Sequence, residues 1–150
     1  MSATGVPILL PAAIRDAVVA AARDAAPLEM CGIVIGSAPS ADGGDALRWV
    51  PTRNAAASPY LYEVHPDDLL SVSVEIDARD EAIWAIVHSH PASDARPSPT
   101  DIRGAFYPEA LHLLVSLAPA EADPATGAPS VRAWRIDDGR ATEVALEVVG

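Results

Sequence analysis

The spacing of hydrophobic and polar positions changes several times along the chain, and each change predicts an element. Residues 6–10 form a short apolar run that reads as a strand, following a loose tail over 1–5. Pro11 suits the first turn of a helix. Ile14, Ala17, Val18, Ala21, Ala22 and Ala25 then recur at helical spacing, with Arg15, Asp16, Arg23 and Asp24 opposite them, until Pro27 ends the pattern. Residues 28–36 are β-rich and read as a strand with Glu29 near its start. The Gly/Ser/Pro stretch 37–45 is a loop. Two further strands are predicted over 46–52 and 60–64, separated by a turn-rich segment.

Residues 66–79 fit two periods. Pro66, Asp67 and Asp68 make a good helix start, and Leu69, Val72 and Ile76 lie at helical spacing, yet Leu70, Val72, Val74 and Ile76 also alternate as in a strand. The run 82–87 is compact and apolar, and predicts a buried strand that continues into His88-Ser89-His90. Ser98-Pro99 has the form of a helix start, with the helix expected to reach about Tyr107. Residues 111–117 predict another apolar strand, and 119–130 a Pro/Ala/Gly loop. Two last strands, 131–136 and 142–148, flank Asp138-Gly139, a strong hairpin turn signal. The pattern is that of an α/β protein, a mixed sheet with helices packed on it, in a single domain over residues 1–150.

Composition narrows the function classes. Half of the residues are hydrophobic, which argues against disorder, and 150 residues can bury a core without disulfides. A formal charge of −11 argues against a nucleic-acid partner. No apolar run is long enough for a membrane span and no leader pattern opens the chain, so a cytoplasmic protein with a single free cysteine, Cys31, is expected.

The chemistry is concentrated where the buried strand ends. On a strand, His88 and His90 face the same way and Ser89 the other, with the two Cβ atoms about 6.5–7 Å apart. Two imidazoles at that separation can converge on one Zn²⁺, and Asp101, at the start of the following helix, is the natural third ligand. Two histidines and one carboxylate leave the fourth position open, the arrangement of a catalytic rather than a structural zinc. As an isolated pair, His88 and His90 would read as hydrogen-bonded histidines at a strand end, and Asp101 as an ordinary first-turn acid. His65 and His112 fall away from this segment and read as structural or solvent-facing. Ser89 is no convincing nucleophile, and Cys31 reads as a small buried apolar group.

His88-Ser89-His90-Pro91, six residues, then Ser98-Pro99-Thr100-Asp101 resembles the signature of the JAMM (MPN-plus) zinc metalloproteases. The upstream Glu29-Met30-Cys31-Gly32 resembles the Glu-x-Cys-Gly segment of the same family. The resemblance implies the JAMM/MPN, cytidine-deaminase-like fold and favours a helix over 66–79. It implies one zinc held by His88, His90 and Asp101, with Glu29 as general base. For Ser98 it implies help in stabilising the oxyanion, beside the helix-cap role read from the local pattern.

The absence of an appended domain resembles the stand-alone prokaryotic branch. Its members are similar to peptidases acting at the C-terminus of ubiquitin-like or sulfur-carrier proteins. Some release cysteine from a sulfur carrier, and others, of desampylase type, cleave isopeptide bonds to lysine. Segments 52–60 and 134–139 resemble the cysteine-releasing type. A groove between residues 60–64 and 92–97 is expected to take the extended tail of such a partner. Many proteins of this fold are metal-free binding scaffolds, so a non-catalytic reading stands beside the enzyme. A zinc nucleoside deaminase would need a downstream Cys-x-x-Cys, which this chain lacks. Oligomeric state is left open by the sequence.

Overall fold

The computed structural model describes residues 4–150, and of residues 4 and 5 the backbone only. Seven strands form one sheet in the order β1-β7-β6-β5-β4-β2-β3. They are β1 Thr4–Pro11, β2 Cys31–Gly36, β3 Ala46–Thr52, β4 Ala82–His90, β5 Leu111–Ser116, β6 Ser130–Asp137 and β7 Arg140–Val149. Helices α1 Ala12–Ala25, α2 Pro66–Arg79 and α3 Pro99–Arg103 complete the set. Of the tail expected over 1–5, residues 1–3 lie outside the described residues, and Thr4 and Gly5 already belong to β1. Among the described residues no helix is long and apolar enough to cross a membrane.

Alternation along the central strands splits the core into two layers. Val34, Ala85, Val87, Leu113 and Val115 meet Ile14, Val18, Val19 and Ala22 of α1 on one face. Ile33, Ile35 and Ile86 meet Val72 of α2 on the other, with Leu69 and Ile76 packed beside it. The helical period therefore wins over the strand period for 66–79, because Leu70 and Val74 point to solvent. That helix starts on His65, whose Nδ1 accepts from Asp67 N–H, and ends on Asp80 in the left-handed region at φ 54°.

Three elements differ from the sequence reading. Residues 60–64 are not a strand. They form a strap over the α2 face, tied to the sheet by one antiparallel bridge between Asn54 and Val64. The Asn54 side chain holds it from within, donating to the Leu61 carbonyl and accepting from Glu63 N–H. Helix α3 stops at Arg103 instead of reaching Tyr107, with Gly104 at its C-cap. Strand β2 begins at Cys31, so Glu29 sits just before it.

Candidate metal centre

The sheet register assembles the site. Strands β2 and β4 pair antiparallel with Cys31 opposite His88, so continuing that register two residues toward the N-terminal side brings Glu29 across from His90. Ser89, between the histidines, turns to the α1 face. Its Oγ accepts from Met30 N–H at 2.8 Å, and Ser89 N–H donates to the Met30 carbonyl. The residue that separates the histidines thus fixes the backbone beside Glu29. Glu29 is held from its other side by the segment that precedes the strap, donating N–H to the Ser58 carbonyl while Asn54 Nδ2 donates to the Glu29 carbonyl.

Asp101 arrives on α3 through a capping box. Ser98 Oγ accepts from Asp101 N–H at 3.1 Å, and Asp101 Oδ2 accepts from Ser98 N–H at 2.9 Å. The same Oδ2 lies 3.1 Å from Nε2 of both His88 and His90, and the two Nε2 atoms are 3.3 Å apart. Glu29, His88, His90 and Asp101 are all buried, with ligand atoms within 4.8 Å of one another. The structure brings together all four residues singled out by sequence, with Ser98 at the edge of the cluster.

The donor set fits a metal ion. His90 Nδ1 lies 2.7 Å from the Asp94 carbonyl oxygen, which can only accept, so Nδ1 carries a hydrogen. In the neutral ring Nε2 then turns its lone pair toward His88 Nε2 and Asp101 Oδ2. Electron-pair donors packed this closely require positive charge among them, a shared proton or a cation. Nitrogen and oxygen donors of this kind suit zinc and other first-row transition metals. Glu29 Oε1 is buried beside them without a hydrogen-bond partner.

The ionisation behaviour of the cluster follows from burial and from these contacts. Burial pushes the Glu29 carboxyl up to about 7, against the pull of His90, and Asp101 adds to the rise. Burial opposes ionisation of Asp101 too, yet hydrogen bonds from His88 and His90 hold it well below the usual carboxylate range. Full burial lowers His88, although Asp101 pulls the other way. In His90 burial is outweighed by Asp101 and the Asp94 carbonyl, and the net direction is up.

Two contributors escaped the sequence reading. Tyr62, on the strap, stacks on His88 with ring centroids 4.2 Å apart and planes 20° from parallel. His88 is thus oriented by an aromatic face, where His90 is oriented by a carbonyl. His112 is not remote from the site. It lies on β5 opposite Ile86, is 2% exposed, and lines a cavity together with Asp101. The only signal for it was its place on a strand parallel to the one bearing the histidines. That cavity, about 450 Å³, opens between Leu61, Tyr62 and Leu69 on one side and Thr100, Phe106 and Tyr107 on the other. The cavity shares the 60–64 wall of the expected groove but not its 92–97 wall: residues 93–95 are tied down against β5 and β6 and line no part of it.

Comparison with known proteins decides the family. Residues 11–137 match the prokaryotic homologs of the JAB domain. The chain belongs to that family. Within the prokaryotic JAB homologs it is 36% identical over 143 residues to the CysO-cysteine peptidase of Mycobacterium tuberculosis, covering 95% of this chain and 91% of the other. It is 31% identical over 143 residues to the desampylase of Haloferax volcanii, covering 92% and 95%. A protein of Desulfitobacterium hafniense, known from its solution structure, superposes with a TM-score of 0.78 at 29% identity, covering 94% of this chain and 92% of that one. A JAB1/MPN domain protein from Archaeoglobus fulgidus shares the fold at a TM-score of 0.56 and 20% identity, over 97% and 100% of the two chains. For this JAB domain the Glu29-His88-His90-Asp101 cluster is the feature that can carry chemistry.

Proposed function

We propose that the protein is a zinc-dependent peptidase that hydrolyses the amide bond after the C-terminal glycine of a ubiquitin-like or sulfur-carrier protein. The observation that carries this reading is the convergence of two imidazole Nε2 atoms and one carboxylate oxygen within 3.1–3.3 Å, with the buried Glu29 beside them. His88 Nε2, His90 Nε2 and Asp101 Oδ2 would hold Zn²⁺, which supplies Lewis acidity, lowering the pKa of water and polarising a carbonyl.

Glu29 is the general base and then the general acid. Its carboxylate takes the proton of the attacking water and returns it to the leaving amine. A buried carboxyl beside the site, with one oxygen free of any hydrogen-bond partner, suits that double duty. Ser98 serves twice with different ends of one hydroxyl. Its oxygen accepts Asp101 N–H as the helix cap, and its hydrogen stays available for the scissile carbonyl oxygen as negative charge develops there. The extended tail of the substrate enters along the cavity between the strap and the α3 end. The mycobacterial relative favours cysteine as the leaving group, and the Haloferax relative favours a lysine side chain.

The test is intact-mass analysis of a small sulfur-carrier protein bearing a C-terminal cysteine, incubated with the zinc-loaded protein. Loss of one cysteine is expected, with none in Glu29→Gln, while zinc content stays near one per chain in Glu29→Gln and falls in His88→Ala. Stoichiometric zinc without cysteine release moves the substrate to lysine conjugates of a ubiquitin-like protein. A wild-type chain that binds no zinc defeats the metallopeptidase reading.

A further inference from the structure

Residues 92–97 connect the second histidine to the capping box of α3, and three consecutive carbonyls in this loop are each held by a side chain that is itself buried. Ser116 Oγ donates to the Ser93 carbonyl at 2.5 Å, His90 Nδ1 to the Asp94 carbonyl at 2.7 Å, and Trp134 Nε1 to the Ala95 carbonyl at 2.9 Å. Ser116 is 0% exposed, His90 5% and Trp134 6%. Such a run of paired carbonyls in a short loop fixes its backbone far more firmly than the loop's own length would.

We propose that Trp134, assisted by Ser116, is a positioning residue for His90: it clamps the loop so that the Asp94 carbonyl keeps His90 in the Nδ1–H tautomer, with Nε2 presented to the site. The reasoning starts from what the Asp94 carbonyl must do. A histidine ligand is useful only if the correct nitrogen carries the hydrogen, and the partner of the other nitrogen sets that choice. The Asp94 side chain is half in solvent and makes only a long, 3.6 Å ion pair with the exposed Arg96, which is weak support for the direction of its carbonyl. Its neighbours give firmer support. Ala95 is fully buried in a small cluster with Leu114 and Trp134, and the indole N–H ends on its carbonyl.

The indole is in turn held in place. Arg132 lies over its ring with the guanidinium carbon 5.0 Å from the centroid, and is itself gripped by two 2.8 Å hydrogen bonds to Glu143. Arg96, from the same loop as Ala95, lies 5.8 Å from the ring centroid. The support therefore runs from β7 through β6 to the loop, and from the loop to His90. The clamp itself needs no metal. Its role as a tuner of metal binding rests on the zinc reading above.

The experiment separates the two. Nitrogen NMR of the His90 ring in metal-free protein, at a pH where the ring is neutral, reports its tautomer directly. The wild type is expected almost wholly as Nδ1–H. Trp134→Phe keeps the ring but removes the donor, and Ser116→Ala removes the clamp on the other flank. Each is expected to show a mixture of tautomers, and Zn²⁺ dissociation constants about 3–10-fold higher, below the 10–100-fold typical of losing a ligand's direct partner. Trp84→Phe is the control for a purely structural loss, since Trp84 Nε1 donates to the Gly44 carbonyl at 2.7 Å in an equivalent bond far from the site. It is expected to leave the His90 tautomer unchanged. An unaltered tautomer in both Trp134→Phe and Ser116→Ala, or the same change in Trp84→Phe, overturns the clamp. Failure of the wild type to bind Zn²⁺ would sink the metallopeptidase reading and leave the tautomer result standing.

Discussion

Asn54 shows how much a single side chain arranges here. Its amide makes four hydrogen bonds: Nδ2 donates to the carbonyls of Glu29 and Leu61 at 3.1 Å each, and Oδ1 accepts from Ala56 and Glu63 N–H at 3.0 Å each. One end fixes the residue proposed as general base, and the other fixes the strap that carries Tyr62 over His88. Asn54→Asp keeps the size and the two acceptor contacts but sets a carboxylate oxygen against two carbonyls. Leaving such groups unsatisfied costs about 1–3 kcal/mol, more where charge is involved. The expected outcome is a loss of stability of that order in urea unfolding, together with slower turnover in Asn54→Asp. A variant within about 0.5 kcal/mol of wild type, the ordinary range for a surface change, would show that the strap is held by other means.

At the scale of elements, Gly32 explains part of the Glu-x-Cys-Gly segment physically. It lies in β2 opposite Pro51 of β3, and a Cβ there would come within 2.1 Å of Trp49 Cη2 and 2.7 Å of the Val50 carbonyl oxygen. The glycine makes room for the indole to lie across the strand pair. Gly32→Ala must push Trp49 aside and shift backbone, a disturbance of the overpacking kind that costs typically 1–3 kcal/mol. Thermal unfolding followed by intrinsic fluorescence, in a Trp84→Phe, Trp134→Phe background that leaves Trp49 as the sole indole, should show a lower midpoint and an altered native emission. An unchanged midpoint would mean that the two strands adjust freely, against the packing described here.

The elements also show what could be read in advance. His88, His90 and Asp101 were legible because strand alternation and a capping pattern are local rules, whereas Glu29 was singled out only by the resemblance of Glu29-Met30-Cys31-Gly32 to the family's segment, since no local rule ties it to His88. Residues 60–64 were misread because the alternation of Tyr60, Tyr62 and Val64 is as consistent with a strap lying on apolar side chains as with a strand. Only Asn54, six or more residues away, decides it. Tyr62 and His112 went unassigned for a related reason: what brings them to the site is sheet order and loop path, which no local period encodes. The α2 segment was ambiguous because Val72 and Ile76 satisfy both periods, and the partner face of Ile33, Ile35 and Ile86 selects between them.

For the molecule as a whole, the buried cluster makes folding stability depend on pH through opposed contributions, among them those of His112 and Glu29. Burial pushes His112 down to about 4, from an ordinary value of 6.5, with the charge of His88 adding to the shift. The unfolded chain then binds the extra proton between those values, so this contribution is complete above 6.5 and is lost as pH falls toward 4. Glu29 runs the other way. Its carboxyl is raised from 4.5 to about 7, so the folded chain holds the extra proton, and that stabilisation is present below 4.5 and lost as pH rises to 7. Each shift corresponds to a term on the order of 3 kcal/mol. In metal-free protein Glu29 opposes His112 between about 4.5 and 6.5, while His88, lowered like His112, adds to the His112 side, so the wild-type slope there is smaller than His88 and His112 alone would give. Removing one side exposes the other. Glu29→Gln, which cannot ionise, should gain on the wild type as pH rises from 4.5 to 7, by about that same amount, in urea unfolding with a chelator present. His112→Asn should gain on the wild type in the opposite direction, as pH falls from 6.5 to 4. If the Glu29→Gln difference stays flat across its window, the Glu29 carboxyl titrates alike in the folded and unfolded metal-free chain, and burial does not raise it.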